Sequence, residues 1–193
     1  GIAARQNAPV SRAQDSITVK RLSHSLEGQA FRVKQIGADG PSNVSGKEIF
    51  MPLLGDHQLE NAQSALACIQ ILTEKGYEIS IESIQDGFAS INWPGRFEII
   101  SKDPLVIIDG AHNRDSFRKL KATIIAYLKD KRKILIFGAS EDKEVKLMLS
   151  IIRSSIDLLI VTRSRHPRAL ESGILEEKAK ELGADYGINH IDY

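Results

Sequence analysis

Three short, uninterrupted apolar runs constrain this chain more than any other feature: residues 105–109, 134–138 and 158–162. Each has the length of a strand and lacks the polar–apolar alternation of a half-exposed one. Runs of this kind suit strands buried on both faces of a parallel sheet. Amphipathic stretches lie between them at 115–129 and 143–154, and a third follows at 170–183. In the first of these, Phe117, Leu120, Ile124 and Leu128 recur at helical spacing. Strand–helix alternation of this sort predicts a doubly wound α/β layer from residue 97 onward.

The upstream half reads differently. Residues 1–10 resemble the tail of a helix ending near Asn7-Ala8-Pro9. Short β-like runs follow at 17–22 and 31–36, then a polar turn region at 38–46 and another apolar run at 49–54. A helix is predicted over 56–75, closed by Gly76 as a glycine beyond a helix end would close it. A second covers 81–90. Asn92-Trp93-Pro94-Gly95 separates the two regimes. The expected organisation is therefore a first region at 1–92, a linker at 93–96 and an α/β domain at 97–193.

Composition limits the functional classes. With 42% hydrophobic and 26% charged residues the chain can form a packed core. Twenty-six basic and 25 acidic residues leave a net charge of +1, so no broad basic field exists to attract nucleic acid. The single cysteine, Cys68, cannot form an intrachain disulfide, and it reads as a small buried residue. No apolar run reaches the roughly 18 residues of a membrane span, and the first residues lack the apolar core of a signal peptide. A reduced, cytoplasmic setting fits best, with small molecules as partners and neither nucleic acid nor membrane.

Three segments could carry chemistry. In Val106-Ile107-Ile108-Asp109-Gly110-Ala111-His112-Asn113 an apolar run leads directly into Asp-Gly and then a helix. Ligands of open α/β sheets gather outside the C-terminal strand ends. Asp109 could accept hydrogen bonds from ribose hydroxyls there, with His112 nearby; alternatively, Asp109 and Asn113 only turn and cap the chain. In Trp93-Pro94-Gly95-Arg96-Phe97-Glu98, a rigid Pro-Gly corner gives Arg96 a fixed origin. Its planar guanidinium suits a phosphate, or it pairs with Glu98. Trp93 reads as a packing residue. In Gly55-Asp56-His57-Gln58-Leu59-Glu60-Asn61-Ala62, His57 and Asn61 share one helix face near its N-terminus. The Asn61 amide offers the donor and acceptor that match the N6/N7 edge of adenine; the alternative is a polar helix start with Asp56 as its cap.

In this order, these three segments resemble consecutive signatures of the folylpolyglutamate/dihydrofolate synthases of the Mur ligase family. Phe137-Gly138-Ala139-Ser140-Glu141-Asp142-Lys143-Glu144 is similar to that family's glycine-then-Asp-Lys stretch, and His166-Pro167-Arg168-Ala169 to its Pro-Arg-Ala region. The resemblance implies a Rossmann-like Mur ligase C-terminal domain preceded by part of the family's central ATPase domain. It also implies an ATP-dependent enzyme, monomeric in its parent form, that joins L-glutamate to a folate or dihydropteroate carboxylate through an acyl phosphate. Carried over by match, Asn61 would bind adenine, Arg96 the ATP phosphates and Asp109 the ribose, with His112 beside the nucleotide. The cluster Arg163, Arg165, His166 and Arg168 would meet the glutamate carboxylates; Arg168 and His166 are the residues singled out.

The sequence departs from the family pattern in two respects. Arg114 stands where the family usually has proline after the Asp-Gly-Ala-His-Asn run. No phosphate loop of the G-x-x-x-x-G-K-[ST] type occurs, nor its looser glycine-lysine-serine form. The expectation is that both termini are cuts in a longer chain, that the Mg2+ ligands and the folate loop lie upstream, and that the chain as given has no ligase activity. Two other readings stay open: another Mur-type amide ligase of the peptidoglycan-precursor or cyanophycin kind, and a non-catalytic α/β binding module.

Overall fold

Alternating burial along three antiparallel strands sets the layering of the first half of the chain. A computed structural model describes residues 2–35, 44–183 and 187–191. The chain separates into two units, Gly1–Glu98 and Ile99–Tyr193, a break just beyond the Pro-Gly corner. In the first unit, α1 (Ile2–Arg5) is a single turn rather than the tail of a longer helix, and α2 (Ala13–Ser16) is another. Strands β1 (Ile17–Ser25), β2 (Gly28–Gln35) and β3 (Glu48–Met51) form an antiparallel sheet in that order. Most of the polar turn region expected at 38–46 lies outside the described residues.

One face of this sheet is dry. Phe31 and Val33 on β2, and Ile49 and Met51 on β3, are all at most 1% exposed, as the two-residue period of a strand requires. Helix α3 (Asp56–Glu74) covers them with Leu59, Ala62 and Leu66, which recur on one helical face. It ends at Gly76, where the Gly76 and Tyr77 amides donate to the carbonyls of Thr73 and Leu72. Helix α4 (Ile81–Ala89) is capped by Ser80, whose hydroxyl accepts from the Ser83 amide, and it adds Ile84 and Phe88 to the core. Phe88 meets Phe31 edge-on, with ring centroids 5.9 Å apart at 76°. Cys68 does not join this core: it is exposed on the outer side of α3, away from the face that carries Leu59, Ala62 and Leu66.

The second unit alternates strand and helix. Strand β4 (Glu98–Lys102), which the apolar runs alone do not single out, pairs with β5 (Leu105–Ile108). Then come α5 (Arg114–Tyr127), β6 (Ile134–Phe137), α6 (Val145–Ile152) with a 3-10 turn at Arg153–Ser155, β7 (Leu158–Thr162), α7 (Ser172–Lys180) and β8 (Gly187–Ile191). Strands β6, β7 and β8 are parallel and adjacent in that order, joined by helical crossovers, as parallel pairing demands. The register puts Leu135 and Phe137 beside Leu159 and Val161 on one face. That face is covered, with Phe137 edge-on to Phe117 of α5 at 5.7 Å. Burial on both faces, expected from continuous apolar runs, does not extend to β6: Ile134 is 53% and Ile136 67% exposed. The pleat sends these two to the opposite face, which no described element covers.

Phe31 is the largest side chain of the first core with no exposed surface. Phe31→Ala is expected to cost about 3–5 kcal/mol through lost burial and a residual cavity. Urea unfolding followed by the fluorescence of Trp93, the chain's single tryptophan, measures it within the first unit. A loss under about 1 kcal/mol would contradict this assignment of the core.

Candidate functional site

The first unit places its chemistry at the start of α3. The chain leaves β3, crosses residues 52–55 and enters the helix with Gly55 as N-cap and no side-chain cap. Asp56 is the first helical residue rather than the cap, and it is ion-paired with Arg21 of β1. The missing cap is offset from below. Gln29 of β2, 1% exposed, donates from Nε2 to the carbonyls of Leu53 (2.8 Å) and Gly55 (3.0 Å). The Gly55 carbonyl also accepts from the Gln58 amide at 3.1 Å. The origin of the helix is thus tied to the sheet by a buried amide.

One turn further, Gln58 and Asn61 face the same way, and Asn61 Nδ2 donates to Gln58 Oε1 at 2.9 Å. Asn61 itself is exposed while Gln58 is buried. Both line a cavity of about 470 Å3, within the range usual for small-molecule sites. Its walls are apolar: Met51 and Leu53, the alanines Ala62 and Ala65 of α3, and Phe88 and Ile91. Trp93 and Arg96 complete it. Trp93 is 61% exposed, so its indole is a wall of the cavity rather than the packing residue expected.

The corner that carries Arg96 is held from both sides. Gly95 has φ +72°, a conformation glycine adopts without penalty, and its amide donates to Glu98 Oε2 at 2.7 Å. Glu98, which on sequence alone could pair with Arg96, is therefore engaged with the backbone of the turn. Phe97 follows with φ +48°, uncommon for a residue with a Cβ, and its ring is 5% exposed. Burial of Phe97 holds the backbone in a conformation it would not choose alone. Arg96, exposed, projects from a fixed point. Asn61 and Arg96, from separate motifs, thus line one cavity.

Asp109, His112, His166 and Arg168 belong to the second unit. Asp109 Oδ1 accepts from the Ala111 amide at 2.8 Å, turning the chain after β5. Asn113 caps α5 reciprocally with Ser116: Asn113 Oδ1 accepts from the Ser116 amide (2.9 Å), and Ser116 Oγ accepts from the amides of Asn113 and His112 (3.0 Å each). Arg114 is the first helical residue, and the helix begins without the family's proline. His112 Nδ1 lies 2.9 Å from the Gly110 carbonyl. A carbonyl only accepts, so Nδ1 carries the proton, and in the neutral ring Nε2 is left as an acceptor.

His112 lines a second cavity, about 490 Å3, at the C-terminal ends of β6 and β7. Gly138 is required there: a Cβ would lie 2.9 Å from the Thr162 carbonyl oxygen. Ser140, Lys143, Arg163 and Ser164 supply the remaining polar lining. Backbone bonds join its two loops, Leu170 amide to Ala139 carbonyl (2.8 Å) and Glu141 amide to Arg168 carbonyl (3.0 Å). Lys143 already pairs with Asp142 at 2.8 Å, and Arg163 with Glu171. An anionic ligand here would compete with those carboxylates. His166 and Arg168 are exposed on the same loop but do not line the cavity; His166 Nδ1 accepts from the Arg168 amide at 3.2 Å. The hydrogen bond from Lys143, aided by the charges of Lys143 and Arg168, holds the Asp142 carboxyl below its ordinary range. Among the described residues no group of three or more His, Cys, Asp or Glu side chains is gathered for a metal ion, and no helix is long and apolar enough to cross a membrane.

Comparison with known proteins adds to this geometry. Residues 95–192 match the family described as Mur ligase, glutamate ligase domain. The chain is 28% identical over 189 residues to the dihydrofolate synthase/folylpolyglutamate synthase of Mycobacterium tuberculosis, covering 97% of this chain and 37% of that protein. It is 40% identical over 134 residues to a probable bifunctional folylpolyglutamate synthase/dihydropteroate synthase of Halobacterium salinarum, covering 69% of this chain and 16% of that one. Among solved structures, Mycobacterium tuberculosis folylpolyglutamate synthase complexed with ADP superposes with a TM-score of 0.82 at 29% identity, over 98% of this chain and 41% of that one. The chain spans about two fifths of the length of the two Mycobacterium tuberculosis relatives.

Two outcomes check the site's supports. Gln29→Ala leaves two buried carbonyls without a donor and is expected to cost about 1–3 kcal/mol, read from Trp93 fluorescence in urea; an unchanged midpoint would show that the tie carries no weight. Asp142 favours its charged form in the fold. Its small contribution is present above the ordinary carboxyl range and is lost as pH falls through the lowered value. Side-chain NMR titration should find Asp142 ionising below an ordinary aspartate, and Lys143→Met should move it back up.

Proposed function

The chain belongs to the Mur ligase family, and we propose that it supplies the adenine, phosphate and ribose contacts of an ATP site in a ligase joining L-glutamate to a folate or dihydropteroate carboxylate. What carries the reading is that Asn61 and Arg96, from separate motifs, line one apolar-walled cavity together with Trp93. A purine needs flat apolar walls, an amide for its polar edge and a cation at the end where its phosphates leave. This cavity offers each of them. Asn61 Oδ1 accepts from the exocyclic N6 amine of adenine, and its remaining N–H donates to a ring nitrogen. Arg96 takes the phosphates with its planar fork. Asp109 accepts from the ribose hydroxyls.

In this reaction the γ-phosphoryl group of ATP passes to the substrate carboxylate and ADP departs. The glutamate amine then attacks the acyl carbon, and the tetrahedral intermediate expels phosphate and loses a proton. Phosphorylation turns a poor leaving group into a good one, so the protein's task is to position reactants and neutralise charge. Arg96 serves the second purpose. His112 stands beside the nucleotide as a neutral ring. On the amino-acid side, Lys143 and Arg163 are the cations at the second cavity, with Arg168 and His166 on its loop; they meet the glutamate carboxylates at the expense of their present pairs. Mg2+ enters only as the counter-ion of the ATP phosphates. The described residues gather no ligand set for it, and no step here is routed through it.

Calorimetric titration with ATP and with adenosine tests the assignment. Asn61→Ala should weaken both by about tenfold, the loss of one well-made hydrogen-bonded contact. Arg96→Ala should weaken ATP by a similar factor and leave adenosine unchanged. ATP binding that ignores Asn61→Ala would place adenine elsewhere and overturn the reading.

A further inference from the structure

We infer that Gln58 is a positioning residue that makes the first cavity read adenine rather than guanine, by fixing which way the Asn61 amide faces. The inference rests on the nucleotide reading of that cavity and goes one step beyond it. A side-chain amide rotated by half a turn exchanges its donor and its acceptor at almost no steric cost. One orientation suits adenine, which offers an amine donor at N6 beside an acceptor nitrogen. The other suits guanine, which offers the O6 acceptor beside the N1–H donor. An asparagine free to turn therefore reads both purines, and discrimination needs something that penalises one orientation.

Gln58 supplies it. Asn61 Nδ2 donates to Gln58 Oε1 at 2.9 Å, so one amide hydrogen is committed within the helix. What remains for a ligand is the other N–H and the Oδ1 acceptor, in a set order. Turning the Asn61 amide over would bring two oxygens together. Gln58 is well placed to hold its neighbour: it is 5% exposed, and its backbone amide is tied to the Gly55 carbonyl, which buried Gln29 also holds. Asn61 is exposed and has no such enclosure of its own. Both residues line the cavity.

The test is the ratio of ATP to GTP affinity, because a merely structural role for Gln58 would weaken both nucleotides alike. The full chain suffices, with Trp93 as a built-in fluorescent probe on the cavity wall. The native chain should prefer ATP by about tenfold or more. Gln58→Leu removes the acceptor and should bring the two affinities within about threefold of each other. Gln58→Met, closer in shape, makes the same prediction and decides the matter if circular dichroism shows that the leucine variant is unfolded. Gln58→Glu keeps an acceptor towards Asn61 and should retain the preference. Native chain that binds neither nucleotide, or both equally, overturns the nucleotide reading and this inference with it. A native preference that survives in the leucine or methionine variant overturns the inference alone, as does its loss in Gln58→Glu.

Discussion

Everything at the first cavity depends on one buried amide. Gln29 sits 1% exposed in β2 and gives both hydrogens of its Nε2 to carbonyls of the segment that launches α3. Buried polar groups left unpaired cost more than paired ones gain, so the arrangement is all or nothing. With Gln29 in place, the carbonyls of Leu53 and Gly55 are satisfied without water, and the helix begins at a fixed height above the sheet. Gln58 then follows from the first turn, Asn61 from the second, and the amide that faces the cavity from Gln58. A site read by hydrogen bonds needs its donors held within a few tenths of an ångström. Here that constraint passes from strand to loop to helix through neutral amides, which carry no charge to desolvate.

The second unit uses a different device. Its polar groups sit at strand ends, where a parallel sheet leaves backbone and side chains facing one rim. Gly138 lets two of these strand-end segments approach closely, and backbone bonds between residues 139–141 and 168–170 hold the rim together. The charged side chains are paired, Lys143 with Asp142 and Arg163 with Glu171. Such exposed pairs are worth little to stability. They keep the cations in place at small cost and can exchange one carboxylate for another.

Much of this was legible in the sequence, and the rest was hidden for identifiable reasons. The helices and most strands follow from period alone, because apolar residues at helical or alternating spacing leave few other ways to bury them. Asn61 and Arg96 stood out through their motifs, yet spacing could not bring them to one cavity; the corner at Gly95 and the left-handed Phe97 do that, and neither shows in a periodicity. The partnership of Gln58 with Asn61 did carry a signal, two amides three apart on a helix. Gln29 carried none, since a glutamine in a polar hairpin looks like any exposed one until its partners are known. Cys68 and β6 show the opposite error. Apolar residue type argued for burial, but Cys68 lies outside the packed face of α3, and Ile134 and Ile136 point to the uncovered side of their strand.

The central claim is that the cavity between α3 and the Pro-Gly corner holds the purine of ATP. Its most direct test is the NMR signal of the Asn61 side-chain amide and of the Trp93 indole N–H during addition of ADP. Both should shift together and saturate at one affinity, while the backbone amide of Cys68, on the far side of the same helix, stays still. Saturable ADP binding that leaves the Asn61 and Trp93 signals unmoved would contradict the account.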